Sequence, residues 1–292
     1  MAILGCTAAF NKPIVFSAIL KGMPKHIAVA LTIAGSDPSG GAGIQADLKT
    51  FHQFGVYGAA AITLVTVQNT TRVDRVECLQ PDLIVQQIRA VIEDIPPGAA
   101  KTGALGNRAI IEAVAKLAAD FRFPLVVDPV MISKHGAPLL SDDARATLLT
   151  KLLPRAYLLT PNLPEAGALT GIAVNDLAGM REAATRLAGC GAKNVLVKGG
   201  HLKEGAAIDV LWHDGHWYDF PAPRIDTKHT HGTGCTYSAA ITASLANGLA
   251  LPEAVAAAKR FIQEAIRTAP GLGRGCGPVN HHANPGISVK IE

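Results

Sequence analysis

From Ile27 onward, short apolar runs alternate with segments whose apolar residues recur at helical spacing, such as Ile44, Leu48 and Phe51. The runs with strand character are Ile27–Ala34, Ala59–Val67, Ala99–Thr102, Leu125–Asp128, Tyr157–Thr160 and Asn194–Lys198. Apolar strands separated by helices are typical of a parallel sheet that helices cover on both faces. The sequence therefore predicts an α/β fold with a mostly parallel central sheet.

A different pattern marks one end of this sheet. Within Ile208–Phe220, Asp214 and Gly215 separate two runs rich in β-forming residues, and Asp-Gly between such runs is typical of a tight hairpin turn. We therefore expect an antiparallel hairpin at one edge of the sheet. Helical patterns over Cys235–Asn247 and Pro252–Thr268 follow it.

The chain shows no internal repeat and no linker after its first residues, so residues 26–292 are predicted to form one domain. Residues 1–25 contain apolar stretches, but Lys12 and Pro13 interrupt them and no basic segment comes first, unlike a secretory signal. We expect residues 1–25 to form a weakly ordered extension.

The composition of the chain argues against some classes of binding partner and some cellular locations. The formal charge is +4, aromatic residues make up only 5%, and no basic cluster is interleaved with aromatics, which argues against nucleic acid. The five cysteines are far apart and form no CxxC pair, which is typical of a reducing compartment. No apolar run reaches the roughly 18 residues of a transmembrane helix. We expect a cytoplasmic protein that binds small molecules and does not associate with a membrane.

Polar or glycine-rich groups follow nearly every predicted strand. They are Gly35-Ser36-Asp37, Gln68-Asn69, Lys101-Thr102-Gly103, Asp128-Pro129, Thr160-Pro161-Asn162 and Lys198-Gly199-Gly200. In open parallel sheets, ligands bind at the carboxyl ends of the strands. We therefore expect the six groups to converge on one crevice.

Two glycine-rich loops are candidates for contact with a ligand. The first, Gly35–Gly43, overlaps a GxGxxA pattern at Gly41–Ala46, but Gln68-Asn69 stands where a dinucleotide-binding protein has its ribose-binding acid. We interpret this loop as a cover over a small neutral substrate; a tight structural turn is the alternative. The second loop, Thr230–Thr236, directly precedes a predicted helix, whose first N–H groups are suited to an anion hole.

Cys235 lies at the beginning of that helix. The field of a helix N-terminus lowers the pKa of a thiol, which would make thiolate accessible near neutral pH. A cysteine in this place can act as a base or a nucleophile, or can serve as a small packing residue. The glycine-rich context favours a chemical role.

Asn162 and Glu165 lie three residues apart at a predicted helix start. Their oxygens suit a hydrated Mg²⁺ or its bound phosphate, but the same spacing is typical of helix capping, and both interpretations stay open. Asp128 offers a further oxygen, and Lys198 a positive charge for a phosphate. Together with the anion hole and the thiol, these groups predict phosphoryl transfer to an alcohol.

In this order, the motifs resemble the hydroxymethylpyrimidine/phosphomethylpyrimidine kinases of thiamine biosynthesis, which belong to the ribokinase-like superfamily. The resemblance runs from Ile27 to His282. The first matching segments are LTIAGSDPSGGAGIQADLKTF and VTVQNT, which lie in Ala30–Asn69 except that the second ends at Thr70. The others are DPVM (Asp128–Met131), TPNLPEA (Thr160–Ala166), VKGGH (Val197–His201), THGTGCT (Thr230–Thr236) and GPVNH (Gly277–His281).

The resemblance implies a ribokinase-like three-layer sandwich and a cytoplasmic homodimer. It implies that the enzyme phosphorylates 4-amino-5-hydroxymethyl-2-methylpyrimidine with ATP, and then its monophosphate, to give the pyrophosphate. By the same resemblance, Cys235 is the base and Lys198 binds the transferred phosphate. The implied substrate pocket contains Gln68, Gly35, Asp47, Ala42 and Val130. The implied anion hole consists of Thr230, Gly232, Thr233 and Gly234, and the implied Mg²⁺ ligands are Asp128, Asn162 and Glu165.

One position departs from the family, because Ala104 stands where these kinases commonly have methionine in the pattern KxGM. The smaller side chain widens the pocket wall, which keeps a pyridoxal kinase of the same superfamily as the nearest alternative. Gln68 favours the pyrimidine, since its amide offers a donor and an acceptor to an aminopyrimidine. Two alternatives from other classes are a dinucleotide-binding oxidoreductase and a ligand sensor without turnover.

Overall fold

A computed structural model describes residues 27–131, 140–202 and 205–286, and the predicted extension over residues 1–25 lies outside them. The described residues form a nine-stranded sheet in the order β3-β2-β1-β4-β5-β6-β7-β8-β9. The strands are β1 (Val29–Ser36), β2 (Tyr57–Gln68), β3 (Val73–Cys78), β4 (Ala99–Thr102), β5 (Leu125–Val127), β6 (Leu158–Leu159), β7 (Val195–Val197), β8 (Asp209–His213) and β9 (His216–Phe220).

The six inner strands, from β2 across to β7, are parallel, and antiparallel strands flank them on both sides. The predicted hairpin at Asp214-Gly215 is confirmed: it joins β8 to β9, and both turn residues have positive φ angles, 47° and 80°. At the opposite edge, β3 pairs antiparallel with β2. The sequence analysis missed β3, because Asp74, Arg75 and Glu77 give it no apolar face.

Helices cover both faces of the sheet, which confirms the three-layer α/β sandwich. The helices are α1 (Gly43–Gln53), α2 (Pro81–Asp94), α3 (Arg108–Ala118), α4 (Asp142–Thr147), α5 (Leu163–Thr170), α6 (Leu177–Gly189), α7 (Thr233–Ala246) and α8 (Leu251–Arg267). Helices α2 to α6 pack on one face, and α1, α7 and α8 pack on the other.

Strand β1 shows why the strands read as unbroken apolar runs. Leu31 and Ile33 belong to the core beneath α2 to α6, while Ala30 belongs to the core beneath α1, α7 and α8. All three side chains are fully buried. Because successive side chains of a strand point to opposite faces, a strand between two helical layers needs apolar residues at every position.

The chain after α8 returns to the beginning of α7. His231 and Pro278 form a parallel β-bridge, and the Thr236 hydroxyl lies 3.1 Å from Nε2 of His281. His281 is only 7% exposed, and its burial lowers the pKa of its imidazole to about 4. The C-terminal segment is therefore held in place by a neutral, buried histidine.

This histidine predicts a loss of stability in acid. Because the pKa of His281 is about 4 in the folded state and 6.5 unperturbed, its contribution is complete above pH 6.5 and is lost as the pH falls toward 4. The free energy of unfolding should fall by up to about 3 kcal/mol from this group. Urea denaturation at pH 7 and pH 4.5 measures the loss, and His281→Gln should reduce it. The control variant His216→Gln, at an exposed position, should lose as much stability between pH 7 and pH 4.5 as the parent. An equally large loss in His281→Gln would contradict the prediction.

Candidate active site

The carboxyl ends of the parallel strands enclose a cavity of about 550 Å³. Each of the six predicted polar groups contributes at least one residue to its lining, so their predicted convergence is confirmed. These residues include Gly35, Gln68, Gly103, Asp128, Asn162 and Lys198. The strands end at one edge of the sheet because they are parallel, and the cavity lies where ligands bind in open α/β sheets.

The cavity has two ends of different character. At one end, Gln68 lies among largely apolar side chains of β2, β3 and the loops after β4 and β5: Leu64, Val73, Ala104, Val130 and Met131. At the other end, α7 and α8 supply Tyr237, Ile262 and Ile266. Lys259 also lines this end, and its Nζ lies 2.7 Å from Oδ2 of Asp209. The cavity can therefore hold two ligands, or one elongated ligand.

A buried ion pair, Asp128 with Lys198, lies where α7 begins. Nζ of Lys198 donates to Oδ1 of Asp128 at 3.0 Å, and Ser238 donates to Oδ2 at 3.2 Å. A Cβ atom on Gly234 would lie 3.5 Å from Lys198 Nζ and 3.7 Å from Asp128 Oδ2. Gly234 in the first turn of α7 thus lies close to both charges, and a lysine beside helix N–H groups is suited to bind a phosphate.

The loop that precedes α7 depends on glycine. Gly232 has a φ angle of 78° as the N-cap of α7, and a Cβ atom there would overlap the carbonyl of Gly41. Thr233 donates its hydroxyl to the Thr230 carbonyl at 2.7 Å. All four residues of the predicted anion hole, Thr230, Gly232, Thr233 and Gly234, line the cavity.

Asn162 and Glu165 form a capping box at the start of α5. The Asn162 side chain accepts from the Glu165 N–H at 2.9 Å, and the Glu165 carboxylate accepts from the Asn162 N–H at 2.8 Å. The capping interpretation is therefore confirmed, although both residues also line the cavity. Burial raises the pKa of Glu165 to about 7; the charge of Lys198 opposes this shift and that of Asp128 adds to it.

The carboxylates of Asp128 and Glu165 suit a Mg²⁺ ion whose remaining ligands are water and phosphate. Among the described residues, no group of three or more His, Cys, Asp or Glu side chains is arranged to hold a metal ion by itself. Magnesium commonly takes one or two carboxylates and completes its shell with water and phosphate. Asp128 and Glu165 are suited to a divalent cation, because burial and then the negative charge of Asp128 raise the pKa of Glu165 and a cation would oppose both effects.

The predicted lowering of the Cys235 pKa is wrong for the free protein. Burial raises the pKa of this thiol to about 12, and Asp47 and Asp128 add to the shift. The charge of Lys101 and an N–H donated by Gly43 act in the opposite direction but do not cancel it. The thiol is therefore protonated at neutral pH, because loss of solvent outweighs the field at the start of α7.

Alkylation of the free protein tests this correction. With a pKa of about 12, Cys235 should react with iodoacetamide at pH 8 more than about 10-fold slower than an ordinary exposed thiol. Its rate should still rise at pH 10. Peptide mass spectrometry measures Cys235 against the exposed Cys190 in the same sample. A rate equal to that of Cys190, with a plateau by pH 8, would support the lowered pKa instead.

The predicted substrate residues separate into two groups. Gln68, Gly35, Ala42 and Val130 line the cavity, as expected. Asp47 does not reach it: the side chain is fully buried, and its Oδ2 accepts from Lys101 Nζ at 2.8 Å and from the Thr32 hydroxyl at 2.6 Å. Asp47 is therefore the partner of a buried lysine and has no surface to offer a substrate.

The sequence analysis also missed a hydrogen-bonded pair of side chains between the two glycine loops. Asp37 and His231 lie 2.7 Å apart, although 194 residues separate them in the chain. Both residues stood in motifs that had been singled out, one at the end of β1 and one before α7. No local pattern indicates that they are partners.

No described helix combines the length and the hydropathy that a membrane span requires.

Residues 37–280 match the family model described as phosphomethylpyrimidine kinase. The chain is 49% identical to the hydroxymethylpyrimidine/phosphomethylpyrimidine kinase of Bacillus subtilis (87% of this chain, 94% of the relative). It is 51% identical to the enzyme of the same name from Haemophilus influenzae (88% and 98%). A 50% identical relative, the thiamine biosynthesis bifunctional protein ThiED of Geobacter sulfurreducens, is matched over 86% of this chain but only 51% of its own length.

Solved structures show the same fold. The ADP complex of Bacillus subtilis pyridoxal kinase superposes with a TM-score of 0.82 at 40% identity, over 88% of this chain and 98% of that one. Phosphomethylpyrimidine kinase from Clostridium difficile gives a TM-score of 0.73 at 44% identity, over 82% and 99%. A match over most of the chain, with relatives near 50% identity, shows that this chain belongs to the phosphomethylpyrimidine kinase family.

Proposed function

We propose that the protein transfers the terminal phosphoryl group of ATP to 4-amino-5-hydroxymethyl-2-methylpyrimidine and then to its monophosphate. The observation that carries this proposal is that Gln68, Cys235, Lys198 and the start of α7 all line one cavity. Relatives that share about half of the sequence bear the name of this activity. The pyridoxal kinase of Staphylococcus aureus, at 36% identity, has been solved with an ATP analogue.

In the first transfer, the Cys235 thiol first releases its own proton to solvent. The resulting thiolate accepts the proton of the hydroxymethyl group as the hydroxymethyl oxygen bonds to the γ-phosphorus and the bond from that phosphorus to ADP breaks. Lys198 and the N–H groups at the start of α7 stabilise the negative charge on the transferred group, the main contribution a protein makes to phosphoryl transfer. The negative charge of Asp128 helps to hold the thiol pKa at about 12. A cation beside this carboxylate would therefore lower that pKa.

Mg²⁺ would be held by Asp128 and Glu165, and would supply charge neutralisation for the nucleotide phosphates. Asn162 supports this arrangement, because its N–H orients the Glu165 carboxylate. We assign Gln68 to the pyrimidine, with Gly35, Ala42 and Val130 as the walls of its pocket. We also propose a homodimer located in the cytoplasm, where ATP is supplied.

The experiment is a transfer assay with Mg-ATP, in which mass spectrometry identifies the products from the pyrimidine and from its monophosphate. Both products are expected. Removal of the polar group in Gln68→Leu should raise KM for the pyrimidine about 5- to 100-fold, because an amide that pairs with the aminopyrimidine is lost. Thr71→Ala, at the exposed β2–β3 turn, is the control. An inactive parent enzyme would refute the proposal.

A pyridoxal kinase activity is the second candidate, favoured by the TM-score of 0.82 to Bacillus subtilis pyridoxal kinase and by Ala104 in the cavity wall. A competition assay with equal concentrations of pyridoxal and the pyrimidine compares the two kcat/KM values directly. Ala104→Met should reduce the use of pyridoxal more than the use of the pyrimidine, since it narrows the wall. A higher kcat/KM for pyridoxal in the parent would make it the principal substrate.

A further inference from the structure

Two side chains with no assigned part in the transfer connect the glycine loops. Oδ2 of Asp37 accepts from Nε2 of His231 at 2.7 Å, and the two side chains are only 4% and 5% exposed. Because an ionised carboxylate can only accept, Nε2 carries the proton of this hydrogen bond. A charge-assisted bond that excludes water is stronger than a neutral one.

Asp37 also organises its own loop. Oδ1 accepts from the N–H of Ser39 at 2.8 Å and from its hydroxyl at 2.7 Å, and Oδ2 accepts from the N–H of Ala42 at 2.9 Å. Burial acts to raise the pKa of Asp37, but the hydrogen bonds from His231 and Ser39 outweigh it and hold the pKa at about 2. The carboxylate is therefore ionised throughout the physiological range and shapes the loop as a fixed acceptor.

Two hydrogen bonds hold the backbone of His231 against the C-terminal segment. Its N–H donates to the Gly277 carbonyl at 3.0 Å, and its carbonyl accepts from the Val279 N–H at 3.3 Å. The next residue is Gly232, the N-cap of α7. A change in the position of His231 would therefore shift the beginning of α7, which carries Cys235.

The same two loops also touch at the thiol. The backbone N–H of Gly43 acts to lower the pKa of the Cys235 thiol, and Gly43 is bridged to Ser36 at the opposite end of the first loop. The placement of the thiol against the first loop thus depends on how firmly the two loops are held together. Gln68 lies on β2, outside both loops, so its contact with the pyrimidine does not share this dependence, whereas the pocket walls Gly35 and Ala42 belong to the first loop.

We propose that Asp37 and His231 are positioning residues, whose hydrogen bond holds the two glycine loops together and so keeps Cys235 aligned with the acceptor hydroxyl. The inference rests on the proposed function and deepens it. A misalignment of about 1 Å at a reacting group can lower a rate as much as 100-fold. The pair should therefore act on kcat, and much less on KM.

A double-mutant cycle with Asp37→Ala and His231→Ala tests the proposal in the full chain with Mg-ATP and the pyrimidine. Each single variant should lower kcat at least about tenfold, a larger change than in the KM value of either substrate. The double variant should be no more than about twofold slower than the slower single variant, because each change breaks the same bond. His231→Gln keeps a donor and should recover most of the rate, whereas His231→Leu should not.

His213→Ala is the matched control, since His213, at the end of β8, makes a comparable 2.7 Å hydrogen bond to Asn194, the residue before β7. It should change kcat less than about twofold. Unchanged kcat in both single variants, a rise in KM alone, or losses that multiply in the double variant would each overturn the inference. If Asp37→Ala does not fold, equal rates for His231→Gln and His231→Leu would overturn it. A parent that transfers no phosphate refutes the proposed function itself, whereas an active parent with unaffected variants refutes this inference alone.

Discussion

Replacement of Cys235 by serine is expected to lower kcat by about 10²- to 10⁴-fold, the range that general acid–base catalysis contributes. The hydroxyl has nearly the size of the thiol but a much higher pKa, so it does not ionise under assay conditions and supplies no base for the alcohol proton. Binding of both substrates should persist, because the residues assigned to hold them are unchanged. The measurement is kcat in the transfer assay together with pyrimidine and nucleotide affinity.

Cys190→Ser is the control for this prediction, since Cys190 is exposed and lies outside the cavity lining. It should retain the parent rate within about twofold. If Cys235→Ser retained most of the parent kcat, the proton would have to be accepted by another group, and the role assigned to Cys235 would be wrong. A parallel loss of affinity for both substrates would instead indicate a packing role.

Lys101→Met is expected to lower the free energy of unfolding by about 3–5 kcal/mol at neutral pH, as breaking a buried ion pair does. Lys101 and Asp47 are fully buried and 2.8 Å apart, and Asp47 Oδ1 has no hydrogen-bond partner among the described residues. The variant leaves the carboxylate without its cation. Urea denaturation measures the loss, and Lys116→Met, at an exposed position of α3, should cost less than about 0.5 kcal/mol.

The pH dependence distinguishes this electrostatic cost from a packing defect. Burial raises the pKa of Asp47 above its unperturbed 3.8, while the charge of Lys101 acts against this shift. Without Lys101 the raised pKa leaves a penalty that is present at neutral pH and absent below pH 3.8, where the carboxyl is protonated in both states. The deficit of Lys101→Met should shrink as the pH falls toward 4. A deficit that does not change with pH would mean that lost packing, and not the unpaired charge, is the cause.

The fold was largely predictable because its strands are buried on both faces. Strand β1, with Ala30 facing one core and Leu31 the other, appears in the sequence as a continuous apolar run. The β8–β9 hairpin was predictable from Asp214-Gly215, since its turn type is a local property. Strand β3 was not predictable, because its position is determined by backbone pairing with β2 and not by an apolar face.

Within the site, the sequence alone determined the residues with local signatures: the glycine loops, Asp128 at the end of its strand, and the Asn162–Glu165 spacing. The tertiary structure decided which charges face each other. It paired Asp37 with His231 and Asp47 with Lys101, and it raised the pKa of Cys235, where the helix position alone predicted the opposite. The physical reason is that desolvation and Coulomb interactions depend on distances between residues far apart in the chain, whereas strand periodicity, turns and capping depend on neighbours in sequence.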